Sequence, residues 1–587
     1  MHWAGCSGRV GPGGLGEEVP YRVAEFGSGR VRGGDEAVQW VPPGADGGLP
    51  QPVRGAALLL CGPFPLRIAA GLVERIVRDV CAGRFAALKE LPGEASGCVV
   101  RPQGAVVFRG ICSPDQVFFR RTPDGGVEWS SDPRDLLGGR FPDFPYEALW
   151  RSCRGEDVFV YPGLGTLHSG ELAELKWGGT GPVEPERSGR RAYFERLLPL
   201  DMPRRVPLRQ YAELTYQLLL EEVRPYAGSR VGMLLSGGVD SATVLAALTE
   251  QGADVVAYHM GADDPAADES AGARAVCRKL DVPLVTVERA TGEDYFPHAD
   301  GGWDFPHPYN HIWLRSLERV ADRVAADGVP VLLSGLEGDM LFGPLRYGLH
   351  DIVAGDIRMR EKWRMLQGLA ATRWELRRLL RSARPSYSLY ADPEAHAEVE
   401  LGSDFLSPLP GAAPEEYGGD FAPQEHTLNL ALWRPRGIRF DKPLGCRALR
   451  RLAARLPDAY RLIPYGGRTL DKPVLRLAAA HRLPPQVWRH YGRTWLGSPD
   501  ERWCLEHPEM LSRLLGTPES RLVAAGIVDP ARLAGVLADP LAHRRNAENL
   551  LCSAMVELFL RDLEGKTGPG QGAVTRTTAI TRAADRS

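Results

Sequence analysis

The chain has 587 residues, enough for two or three domains with sizeable cores. Its formal net charge of −3 is nearly balanced and no long basic run occurs, which argues against a nucleic-acid partner or an anionic membrane surface. Ten scattered cysteines without a Cys-x-x-Cys pair, no signal-peptide pattern and no apolar run of about 20 residues point to a reducing, cytoplasmic setting without a zinc or disulfide framework or a membrane span.

Residues 1–50 are rich in Gly and Pro and predict an irregular segment. Gly11, Gly13 and Gly16 fit Gly-x-Gly-x-x-Gly by letter, but no strand precedes them and Pro12 lies inside. From about 52 to 178, short apolar runs such as 105–108, 116–119, 127–129 and 158–161 alternate with turns and predict a mixed α+β domain. Residues 177–191 have the composition of a linker.

Residues 231–235 read as a buried strand that breaks at Ser236-Gly237-Gly238, and a helix follows from about 241 to 248. A strand, a glycine turn and a helix N-terminus form an anion cradle, because backbone N–H groups and the helix dipole both face the turn. Asp240 is the exception in that cradle: a carboxylate beside phosphates requires a divalent cation between them. No Gly-Lys-Ser/Thr follows, so this is not a Walker loop. Strands are then predicted at 254–258, 282–287 and 329–333, and helices at 268–280 and 313–324. That alternation implies a parallel sheet, with ligands bound beyond the carboxyl ends of its strands. Asp268 and Glu269 either orient the glycine loop or cap the helix they open. His298, His307 and His311, with Pro297, Pro306 and Pro308, edge the loop before the fourth strand; zinc is one reading of them, and a rigid pocket wall with a base for an amine is another. The later chain is helix-rich, as 363–380 and 447–456 indicate, and the tail after Lys566 is low in large apolar residues and is predicted disordered.

Two motifs carry a family resemblance. Ser236-Gly237-Gly238-Val239-Asp240-Ser241 resembles the pyrophosphate loop of ATP pyrophosphatases that make acyl-adenylates. The run Ser334-Gly335-Leu336-Glu337-Gly338-Asp339-Met340-Leu341-Phe342-Gly343 resembles the second signature of the asparagine synthetase family. Arg439-Phe440-Asp441-Lys442-Pro443-Leu444 looks like a variant of that family's Pro-Phe-Leu-Asp segment. Asp471-Lys472-Pro473-Val474-Leu475-Arg476, then Leu483-Pro484 and Trp488-Arg489, resemble its Lys-x-x-Leu-Arg region. The resemblance implies an α/β chain in three parts. Residues 1–190 would be a degenerate glutaminase-like domain of the N-terminal-nucleophile (Ntn-hydrolase-like) α+β type. Residues 200–565 would be an adenine-nucleotide α-hydrolase-like synthetase domain with a parallel sheet and a helix-rich second half, and 566–587 the tail.

The resemblance also implies roles. ATP and Mg2+ would be used, with Ser236, Gly237, Gly238 and Ser241 on the pyrophosphate and Asp240 and Asp339 on the metal. Leu235, Met260, Ser334 and Gly335 would line the adenylate pocket. Lys472 and Arg476 would offset charge as pyrophosphate departs, and Arg493 would replace a lysine that the family has after its Trp-Arg pair.

The front domain departs from the family. A glutaminase needs Cys directly after the initiator Met, yet position 2 is His2, and Cys6 lies four residues further on. The family's oxyanion hole uses an Asn, and the first asparagine here is Asn310. Without released ammonia, the nucleophile is an amine of the substrate itself. Where asparagine synthetases carry Glu and β-lactam synthetases carry Tyr, this chain has Leu336, with Glu337 one position off. The chain resembles lasso peptide macrolactam synthetases in overall length, the degenerate front domain and the varied acceptor pocket, and that reading is placed first. Such synthetases adenylate an Asp or Glu side chain of a leaderless precursor peptide, and the peptide's N-terminal amine then displaces AMP. A leader peptidase and a leader-binding protein would be its partners. A small-molecule amide or β-lactam synthetase and an inactive nucleotide-binding regulator are the alternatives.

Overall fold

The computed structural model describes residues 22–23, 28–33, 38–41, 51–53, 57–61, 70–93, 95–101, 104–121, 127–137, 144–154, 161–176, 190–196, 198–261, 268–290, 307, 314–343, 352–353, 355–371, 405–407, 426–465, 468–490 and 498–567. The predicted alternation of strands and helices is present. Helix α1, Leu208–Val223, precedes strand β1, Arg230–Leu234, and helix α2, Val239–Glu250. Then come β2, Asp254–Met260; α3, Ser270–Leu280; β3, Leu284–Val287; α4, Leu314–Ala326; β4, Val331–Ser334; and the short α5, Gly338–Phe342. A fifth strand, β5, Arg439–Asp441, closes the sheet, which runs β3-β2-β1-β4-β5 with every pair parallel.

Alternation along each strand divides the core. Val255 and Ala257 face one side with Val231, Met233 and Leu333, while Val256 and Tyr258 face the other with Leu332 and Phe440. Helix α2 is buried on nearly all sides, because α1 and α7, Pro473–Ala478, cover it against the sheet. Its small residues Ala242, Ala246 and Ala247 permit that crowding. Between β5 and α7 lies α6, Arg447–Ala453.

The N-terminal part stacks two six-stranded sheets. Cys98, Val100, Ala105, Val107, Ala173 and Leu175 of one meet Phe119, Val127 and Trp129 of the other. Helix Ala70–Cys81 covers the outer face of the first sheet through Ile76, Val77 and Val80 against Val99, Val106 and Phe108. Two expectations change here. Residues 1–50 contain strands: Ser28–Gly33 pairs with both Val127–Ser130 and Val38–Val41. The expected linker ends in a strand, Arg190–Tyr193, paired with Glu171–Lys176, so the sheet runs past residue 190. Ladder pairing, near in the chain for Val38–Val41 and Arg190–Tyr193 and distant for Ser28–Gly33 with Val127–Ser130, overrides a composition that locally reads as irregular. Residues 1–21, 158–160, 177–189, 372–400 and 568–587, on which other expectations fall, lie outside the described residues.

The last described element is helix α8, Pro540–Thr567, packed among Ser498–Glu506, Pro508–Leu515, Arg521–Ala524 and Pro530–Ala538. Among the described residues no helix is long and apolar enough to cross a membrane, and eight cysteines are free thiols.

Candidate active site

In this strand order the connection reverses between β1 and β4, and Leu234 pairs directly with Ser334. The loops that follow the two strands therefore leave the sheet side by side, where open parallel sheets bind ligands. In the first loop, Gly237 has φ +101°, and a Cβ there would lie 2.4 Å from the Glu269 carbonyl oxygen. Only glycine fits that backbone. The Ser236 hydroxyl accepts the Gly238 N–H at 3.1 Å and lies 3.0 Å from the Ser241 hydroxyl, which accepts the Ser236 N–H at 3.2 Å. Gly238 caps α2 without a side-chain acceptor, so the first-turn N–H groups of a 12-residue helix face the loop.

The second loop is glycine-dependent because it packs onto the first. A Cβ on Gly335 would lie 2.4 Å from the Ser241 nitrogen, and one on Gly338 would lie 2.5 Å from the Asp240 Cγ. That approach brings together Asp240, in the first turn of α2, and Asp339, in the first turn of α5. Lys472, from the N-cap of α7, reaches both: its ammonium bonds Asp240 Oδ2 and lies 2.8 Å from Asp339 Oδ1. Burial pushes the Asp240 carboxyl up, to about 6, against the pull of Lys472 and with the repulsion of Asp339. Burial also disfavours the Lys472 charge, but Asp240, Asp339 and Asp471 outweigh it and raise its pKa above that of free lysine.

These residues fit a hard divalent cation. Asp240 Oδ1 is buried with no hydrogen-bond partner, and both carboxylates already converge on a positive charge. An all-oxygen pair that leaves other positions to substrate phosphates suits Mg2+ better than a soft metal. Among the described residues no group of three His, Cys, Asp or Glu forms a self-sufficient metal cage.

The other sequence candidates divide. Ser236, Gly237, Gly238, Ser241, Ser334 and Gly335 line the two loops; the Ser334 hydroxyl accepts the Leu336 N–H at 3.3 Å. Leu235 contributes only backbone to this region, because its side chain is in the core with Val231 and Met233. Met260 is half-buried against the opposite core. Arg476 turns away from the carboxylate pair: it ion-pairs with Asp471 and donates to the carbonyls of Asp471, Val487 and Trp488 at 2.6, 3.2 and 3.2 Å. Its guanidinium therefore ties the segment after α7 to the turn that presents Lys472. Arg493, His298 and His311 lie outside the described residues, and His307 is buried among the rings of Phe118, Tyr161 and His426. Asp268 accepts the Ser270 N–H at 2.9 Å, while Glu269 packs on Gly237, so the pair both starts α3 and supports the loop.

One supporting residue escaped the sequence reading. His259, buried on β2, donates from Nδ1 to the Leu235 carbonyl at 2.8 Å and accepts from the Ser270 hydroxyl at 3.0 Å on Nε2. A histidine inside an otherwise apolar strand was the available signal. Glu337 bonds Lys442 and Arg450, away from the Asp240–Asp339 pair.

No curated protein matches this chain. Two of the solved structures that resemble it illustrate how distant the likeness is. Glutamine phosphoribosylpyrophosphate (PRPP) amidotransferase from B. subtilis, complexed with ADP and GMP, is 9% identical over 43% of this chain and 72% of its own, with a TM-score of 0.17. A structure described as the allosteric regulatory enzyme of purine biosynthesis is 10% identical over 62% and 73%, with a TM-score of 0.18. Residues 217–434 match the family model described as asparagine synthase, a stretch that holds both glycine loops, Asp240 and Asp339 and stops short of Lys472.

Proposed function

We propose that this protein is an ATP-dependent amide ligase that releases AMP and pyrophosphate, and that its substrate is a leaderless peptide closed into a macrolactam. The carrying observation is the meeting of Asp240, Asp339 and Lys472 beside an open helix N-terminus at the sheet's switch point. The asparagine synthase match over residues 217–434 supports adenylation as the chemistry.

The loop N–H groups and the Ser236 and Ser241 hydroxyls would bind the β- and γ-phosphates. Asp240 and Asp339 would hold Mg2+, which neutralises phosphate charge when bound. A side-chain carboxylate oxygen of the peptide forms a bond to the α-phosphorus as the bond to the bridging oxygen breaks. Pyrophosphate then leaves toward Lys472, whose raised pKa keeps it cationic. The peptide's N-terminal amine next attacks the acyl carbon, the C–N bond forms, the bond to AMP breaks, and the amine loses a proton. Two observations favour an amine within the substrate over ammonia. The position of the family's amidation carboxylate is Leu336, and the neighbouring Glu337 is engaged by Lys442 and Arg450.

The test is mass spectrometry of the protein with ATP, Mg2+ and a leaderless peptide that carries a downstream Asp or Glu, with AMP followed in parallel. The expected product has lost one water and carries an amide between its N-terminus and that side chain. AMP formed only with small amino acids would favour the small-molecule synthetase. AMP formed with no tested carboxylate would refute the ligase assignment.

A further inference from the structure

Glu337 stands where a glycine would be at ease. Its φ of 75° lies in the left-handed region, one of four such non-glycine residues among those described. A side chain in that state crowds its own backbone, so surrounding contacts must hold it there. The contacts are specific. The Glu337 carboxylate is nearly buried and meets the Lys442 ammonium at 2.6 Å and the Arg450 guanidinium at 2.7 Å. Lys442 donates its backbone N–H to Asp441 at the end of β5 at 2.7 Å, and Arg450 on α6 donates to the Gly445 carbonyl at 2.8 Å. A Cβ on Gly445 would lie 3.1 Å from the Glu337 Cγ, so the stem of the side chain is enclosed as well.

The backbone on the other side of this anchor carries the site. Gly338 is the residue pressed against Asp240, and Asp339 follows it into the reach of Lys472. Glu337 thus connects an ion cluster on β5 and α6 to the two residues that fix the distance between the acidic groups. We infer that Glu337 is a positioning residue: its pairing with Lys442 and Arg450 pins the left-handed turn that presents Asp339 beside Asp240 for Mg2+ carried with ATP. The inference rests on the nucleotide-binding reading above. It also assigns a use to a carboxylate one position away from the family's amidation residue, and that use leaves it unable to act as a base for the amine.

The test is calorimetric ATP binding to the full-length protein, once with MgCl2 and once with EDTA, for wild type, Glu337→Gln and Glu337→Gly. Gln keeps the size and removes the charge; Gly removes the anchor and relieves the backbone. Both variants should lose about tenfold in affinity with MgCl2 and stay within about twofold of wild type in EDTA. The Gly variant should melt no lower than the Gln variant. A purely structural role would lower the melting temperature and leave the Mg2+-dependent gain in affinity unchanged, and that result overturns the inference while the function stands. Wild type that gains no ATP affinity from Mg2+ would overturn both.

Discussion

Lys472 occupies the left-handed region at φ 45°, a state that costs about 1–2 kcal/mol for a residue with a Cβ. Its N–H donates to the Arg461 carbonyl at 3.1 Å, and its ammonium bridges Asp240 and Asp339. Lys472→Met removes a cation that both aspartates contact, and pyrophosphate release should fall by about two to three orders of magnitude. Retention of more than about a tenth of the rate would exclude a direct role on the leaving group. Asp240 supplies a pH test. Its carboxyl is raised to about 6 while Lys472 stays protonated, and only the ionised form attracts a cation. The kcat/KM for ATP reports ionisations of the free enzyme, so it should climb through about pH 6 and then level. Stability runs the opposite way. A carboxyl with a raised folded pKa binds its proton more tightly when folded, so this favourable contribution is full below pH 3.8 and is lost as pH rises through about 6. A rate that stays flat across about pH 5–8 would disprove the assignment. The chain's motifs single out Asp240, Asp339 and Lys472, each in a recognisable run, and the fold brings the three side chains together. The motifs could not separate Lys472 from Arg476: both are cations in one motif, and only the fold shows Arg476 turned onto Asp471 and the carbonyls near 488.

Helices and strands differ in how far the chain announces them. The strands β1 to β4 are apolar runs bounded by turns, and each lies within two residues of its predicted limits. By contrast β5 is three residues long with Phe440 as its only apolar member, and its pairing with β4 across about a hundred residues leaves no local trace. Ser28–Gly33 escaped for a related reason, since one of its partners is Val127–Ser130, whereas Val38–Val41 pairs with its near neighbours Ser28–Gly33 and Gln51–Val53. Helix α8 is more instructive, because it buries a charge. Glu557 is fully buried and accepts from the Ser520 hydroxyl at 2.9 Å, the Arg521 and Leu522 N–H groups at 3.0 Å, and Arg561 at 2.7 Å. One carboxylate therefore caps helix Arg521–Ala524 and joins it to α8. Glu557→Leu leaves those donors buried and unmatched, and the unfolding free energy should drop by about 3–5 kcal/mol. A shifted denaturant midpoint, with pyrophosphate release by the folded fraction unchanged, is the expected pair of results. An unmoved midpoint would mean that the cap is dispensable.

At the scale of the molecule, the N-terminal two-sheet part is built into the same core as the part with the parallel sheet. Phe118, Phe144, Leu149 and Tyr161 share a continuous apolar cluster with Trp433, Leu551 and Phe559, and the rings of Phe144 and Phe559 lie 6.1 Å apart. Trp150 donates its indole N–H to the Ser407 carbonyl at 2.7 Å. Polar groups cross the same boundary: buried Asp115 ion-pairs with Arg434 and lies 3.4 Å from His426, which donates to the Ser131 carbonyl at 2.5 Å. Burial opposes the Asp115 charge, but Arg434 and His426 outweigh it and hold the carboxyl well below the usual carboxylate range. A depressed folded pKa contributes stability above about pH 4 that is lost on acidification, so the two parts should loosen together in acid. Removing residues 1–196 would expose the apolar face that Phe144, Leu149 and Tyr161 now cover and leave Arg434 without its carboxylate. Residues 197–587 produced alone should therefore aggregate or bind a hydrophobic dye, even though every residue of the Asp240–Asp339–Lys472 site is present. Arg434→Met in the full chain should weaken the same junction by about 3–5 kcal/mol, because Asp115 is then buried without its guanidinium. A soluble, cooperatively folding fragment that releases pyrophosphate at the full-length rate would show the opposite: a front domain that is carried along and does not complete the core.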